Sequence, residues 1–142
     1  MHPWGIHTFE DEIACDWIED LNDSHPVVFL AHCLDLGKAK SLNYLACVGV
    51  LCTAELIIAD SVPNNRVHPE AIQLWITENP DIDLKAFTLQ AISGLRKVLN
   101  QQPELGPPSE LLDRWMDHDH LGDAWLEDKK KLLRMLEHNL TR

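Results

Sequence analysis

The chain has 142 residues, 45% of them hydrophobic, and a formal charge of -11 from 23 acidic and 12 basic residues. That length supports one domain with a real hydrophobic core, without help from disulfides or metals. The charge excludes a phosphate backbone as the expected partner, because nucleic-acid binding needs a basic face; it leaves a basic protein partner or plain solubility.

Residues Met1–Phe9 read as an irregular arm, broken by Pro3 and Gly5. Trp4, Ile6 and Phe9 give it a large apolar surface, so the arm is expected to dock on the core. The segment lacks a basic stretch followed by an apolar run. No secretory signal is therefore expected, and a cytoplasmic location is.

Asp11 is the expected N-cap of a first helix. Ile13, Ala14, Trp17, Ile18 and Leu21 form its apolar face, and Glu12, Asp16, Glu19 and Asp20 the other. Pro26 opens a second, mostly apolar helix to Leu36, ended by Gly37 as a C′ glycine; the β-branched and aromatic start Val27–Phe29 leaves a strand open, but the good helix formers of Leu30–Leu36 favour the helix. A homodimer through the excess apolar surface of this helix is one expectation, and His32 in its middle reads as a buried, satisfied histidine.

The stretch Ser41–Asp60, SLNYLACVGVLCTAELIIAD, organises the rest. It is apolar in every helical direction, so it belongs inside the protein with other helices around it. A membrane span is the rival reading. The run is shorter than the roughly 18 apolar residues a span needs, and it carries Glu55. Pro63 and its neighbouring asparagines make the following loop.

Pro69–Asn79 is the expected fourth helix, buried through Ala71, Ile72, Trp75 and Ile76. Asp83 should cap a fifth, whose face is Leu84, Phe87, Ala91, Ile92, Leu95, Val98 and Leu99. Gln101–Pro108 is a proline-rich connection. Ser109 should cap a sixth helix, with Leu111, Leu112, Trp115 and Met116 inward, and Asp123 a last one, with Trp125, Leu132, Leu133, Leu136 and Leu140 inward. Lys129–Lys131 and Arg134 lie toward its C-terminal half, where the helix dipole favours cations. The prediction is an all-α single domain over residues 1–142, six or seven helices packed around the central one.

This pattern resembles a bacterial family known as domain of unknown function 4259. Its members begin with a W-G arm, a phenylalanine, an asparagine-aspartate pair and an A-x-D-W helix. Here these read Trp4-Gly5, Phe9, Asp11-Glu12 and Ala14-Cys15-Asp16-Trp17. The likeness continues at Ala54-Glu55, Ser109-Glu110-Leu111, Trp115 and Trp125. The chain departs from the family at His2 and His7, where glycine is usual, and at Thr8, where proline is, so its arm is expected to turn differently. The resemblance implies the fold and no activity.

Glu55 stands out among candidate functional residues, because a lone carboxylate on a buried helix must be hydrogen-bonded, paired or neutralised. One reading is a general acid or base with raised pKa, or a ligand contact, in an interhelical pocket. The favoured reading is an acceptor that anchors the arm, with the Trp4 indole, amides near Gly5 or Arg66 as donors. Asp117-His118-Asp119-His120 invites a metal, but no second cluster at ligand spacing supports one. Cys15, Cys33, Cys47 and Cys52 read as buried free thiols of a reducing compartment. No nucleophile elbow, H-E-x-x-H or phosphate loop is present, and no cofactor is expected. The expected function is a non-catalytic protein–protein module, an acidic binding, inhibitor or immunity-like protein. Its contact face would be the acidic run Glu10–Asp23, with Asp11, Asp16 and Trp17 on it and Trp4 beside it. The alternative is a small-ligand binder or enzyme using Glu55.

Overall fold

The computed structural model describes residues 3–61, 65–118 and 120–140. Among them the chain forms seven α-helices and two 3-10 turns, with no β-strand. The helices are α1 Glu12–Asp23, α2 Pro26–Leu36, α3 Tyr44–Ser61, α4 Glu70–Glu78, α5 Thr88–Val98, α6 Glu110–Met116 and α7 Gly122–Leu140. Every other helix touches α3.

That arrangement follows from α3's lack of a polar face. By length and composition α3 could cross a membrane, yet 78% of it is buried under its neighbours. Its start lies three residues beyond the expected Ser41, because Asn43 Oδ1 accepts from the Ala46 amide at 2.8 Å and acts as the cap. Glu110 of α6 also accepts the Tyr44 amide at 2.7 Å. One apolar residue escapes enclosure: Leu45 is 65% exposed.

Several expected helix ends hold. Asp11 accepts from the Ile13 amide at 2.8 Å and caps α1. Ser109 accepts from Leu112 at 3.1 Å and donates to the Val98 carbonyl at 2.8 Å, so α6 is tied to the end of α5. Others are corrected. Asp83 makes no capping bond, because a 3-10 turn over Leu84–Phe87 intervenes before α5 begins at Thr88. Asp123 sits inside the first turn of α7, which starts at Gly122. Leu140 is exposed near the end of that helix. Cys15 is also exposed, and His32 lies on the open side of α2. The loop expected at Pro63 lies partly outside the described residues.

Gly37 ends α2, but not as a left-handed cap, since its φ is -67° and right-handed. Its role is close approach: a Cβ there would lie 2.7 Å from Val50 Cγ2 on α3, and one on Gly94 of α5 would lie 3.1 Å from Val50 Cγ1. Val50 thus fills a notch between two glycines. Gly37→Ala carries no backbone strain at this φ, so its effect isolates the steric clash. It is expected to destabilise by about 1–3 kcal/mol in urea unfolding, and a neutral result would show the notch to be loose.

Candidate functional site

The side of α3 bearing Glu55 faces a segment that inverts the usual pattern. Residues 65–69 are neither helix nor turn. In a chain without helical winding, alternate side chains fall on one side. Arg66 and His68 point inward to Glu55, while the apolar Val67 between them is exposed.

Glu55 is 1% exposed and both its oxygens are fully engaged. Oε1 accepts from Arg66 Nε at 2.7 Å and lies 2.8 Å from His68 Nε2. Oε2 accepts from Arg66 Nη2 at 2.7 Å and from the Thr8 hydroxyl at 2.6 Å. Because a carboxylate only accepts, the His68 proton sits on Nε2. Thr8 belongs to the N-terminal arm, so the acid does anchor that arm, through a hydroxyl and not through Trp4. The Trp4 side chain is 64% exposed.

The last helix completes the cluster. Lys129 lies on the apolar face of α7, in step with Trp125, Leu132 and Leu136, and is 0% exposed. Its Nζ donates to the Ile6 carbonyl at 3.0 Å, the Thr8 hydroxyl at 2.9 Å and Asp128 Oδ2 at 2.9 Å. It also stands 5.9 Å over the Trp125 ring. Asp128 Oδ2 accepts in addition from Arg66 Nη2 at 2.9 Å. Two acidic and two basic side chains are therefore interleaved, and Thr8 bridges the buried Glu55 to the buried Lys129.

The electrostatics follow from this pairing. Burial would raise the Glu55 carboxyl, but the Arg66 and His68 hydrogen bonds and the nearby positive charges hold it well below the usual carboxylate range. This is the opposite of the raised value a general acid requires. Burial pushes Lys129 down, against the opposing pull of Glu55 and Asp128. Asp128 is held low by Lys129 and Arg66 despite its own burial.

Asp11 performs a second tie. One oxygen caps α1 and the other accepts from the Tyr44 hydroxyl, joining α1 to the start of α3. Burial, and then Asp11, push the Tyr44 phenol upward. Neither Asp16 nor Trp17 belongs to the ion cluster. Asp16 is exposed on α1, and Trp17 is buried with its indole N–H donated to Cys33 Sγ at 3.4 Å. Both line a cleft of about 320 Å³ between α1, α2 and the start of α3.

Cys33, Cys47 and Cys52 are buried free thiols. The exposed Cys15 thiol is pushed up by partial burial and by its acidic neighbours. His118 Nδ1 accepts from the His120 and Leu121 amides at 3.4 and 3.3 Å, and Asp119 lies outside the described residues. Among the described residues no group of three or more His, Cys, Asp or Glu side chains is assembled for a metal ion. Of the ion cluster, Glu55 and Arg66 were expected, whereas Thr8, His68, Asp128 and Lys129 were missed. The missed signal was a lysine at a core position of an amphipathic helix.

An all-helical domain built on one enclosed helix, with a buried ion cluster that ties down its N-terminal arm, is the class that fold and site define. The chain belongs to the family described as Domain of unknown function (DUF4259), whose model matches residues 3–128. No curated protein and no solved structure matches it.

Proposed function

We propose that this domain is a non-catalytic binding protein that works through contact with a basic protein partner, in the manner of an acidic inhibitor or immunity protein. The observation that carries the reading is the juxtaposition on α1 of exposed acids with the apolar cleft beside Trp17. Net charge of -11 supports a basic partner, since complementary charge speeds encounter and rejects wrong partners. The ion cluster supports the absence of catalysis at Glu55. A carboxylate offers about four acceptor sites, and protein donors fill them. Three buried free thiols fit a reducing, cytoplasmic setting.

Peptide display on the immobilised protein tests the reading, with Asp16→Asn/Glu19→Gln/Asp20→Asn as competitor. Binders rich in Lys and Arg that lose affinity for the variant are expected. Neutral or acidic binders indifferent to the variant would contradict it.

A further inference from the structure

We infer that the cleft between α1, α2 and the start of α3 receives one amphipathic basic helix from a partner protein. This rests on the binding reading above and names the partner's chemistry. Trp17 and Phe29 line the cleft with rings 5.6 Å apart. The Trp17 N–H is already donated to Cys33, so the indole has only apolar surface to offer. Leu36 and Leu45 are lining residues that stay 43% and 65% exposed, extending the apolar surface past the cleft itself. Asp16 and Asp20, one helical turn apart on α1, supply carboxylates along one side.

Each feature selects among occupants. A volume of about 320 Å³ is at the lower end of small-molecule sites. The cleft's polar groups, Asp16, Asp20 and His32, stand beside a broad apolar floor. A small molecule confined to the cleft would cover only the parts of Leu36 and Leu45 that face into it. A helix with apolar side chains at i, i+3, i+4 and i+7 covers cleft and lips together, and its flanking Lys or Arg reach Asp16 and Asp20. A second copy of this chain would bring another body of charge -11 against an acidic wall, which like-charge repulsion opposes.

The test uses the full chain and a labelled model helix of about four turns, with Leu on one face and Lys or Arg on the others. A counterpart carries Glu in place of the basic residues. Fluorescence anisotropy gives affinity, and the Trp17 indole resonance gives location. The basic helix is expected to bind, the acidic one not, and the Trp17 signal to shift. Leu36→Gln/Leu45→Gln, which changes exposed residues without changing charge, should weaken binding about tenfold or more. Asp16→Asn/Asp20→Asn should weaken it and blunt its salt dependence. If only the aspartate variant loses binding, the cleft is not the seat, although an acidic contact face survives. If the basic helix fails to bind, or both helices bind equally, the inference is overturned. Light scattering that shows a dimer converted to monomer by Leu36→Gln/Leu45→Gln would assign the cleft to a second copy and overturn it too.

Discussion

Replacing Arg66 by methionine is expected to remove about 3–5 kcal/mol of stability, read as a lower urea midpoint at unchanged slope. The side chain gives two hydrogen bonds to Glu55 and three to Asp128, from Nη2 to Oδ2 and from Nη1 to Oδ1 and the backbone carbonyl. Without it, a fully buried carboxylate keeps only His68 and Thr8 as donors, and desolvation pushes it toward protonation. The wild-type pH dependence has a definite sign. A carboxyl held below its unfolded value near 4.5 contributes stability that is complete above that value and lost as pH falls through the folded one. Arg66→Met should lose most of this acid sensitivity along with the stability. A loss under about 1 kcal/mol would show the pair to be no better than a surface bridge.

Lys129→Met is the second large effect, expected at about 3 kcal/mol. Methionine keeps an unbranched apolar side chain in the core, so the change reports mainly on the ammonium group. It would leave the Ile6 carbonyl without its Nζ donor and Asp128 without one of its two cations. Because two of the three bonds from Nζ end on the arm, the Trp4 and Glu10 amides, which bond to Glu10 and His7 carbonyls, should exchange faster with solvent than in the wild type. Trp4→Ala provides the contrast. Its side chain is exposed, so the change should fall within about 0.5 kcal/mol of neutral. Equal and large effects from Lys129→Met and Trp4→Ala would mean that the arm is held by its tryptophan after all.

How much of this was readable in advance depends on which rule each residue obeys. The central helix was readable because a stretch with no polar face has only one place to go, and α3 occupies it. Asp11 and Ser109 were readable because capping is local: the acceptor and the amide it satisfies are two or three residues apart. The ion cluster was only half readable. Glu55 announced itself as an acid among apolar neighbours, and a cation had to meet it. Position along α7 gives Lys129 to the helix dipole, although its spacing from Trp125 and Leu132 places it on the core face. A long aliphatic stem can lie among core side chains while its head reaches a buried acid. Arg66 and His68 break the rule that apolar residues turn inward, because the cluster, and not the core, sets the facing of their segment. Trp4 broke the same rule from the other side. Its aromatic mass argued for burial, but the arm docks through Phe9 and the Thr8 hydroxyl. The cleft was invisible in the sequence, since it is a gap between three helices and no helix carries it alone.

The central claim is that the buried acid of α3 holds the N-terminal arm through Thr8. A double-mutant cycle of Thr8→Val and Glu55→Gln in urea measures that coupling directly. The account predicts a departure from additivity of about 1 kcal/mol or more, because Thr8→Val removes the bond that Glu55→Gln deprives of its charge. Additivity within about 0.3–0.5 kcal/mol would mean that the arm and the acid are independent, and would contradict it.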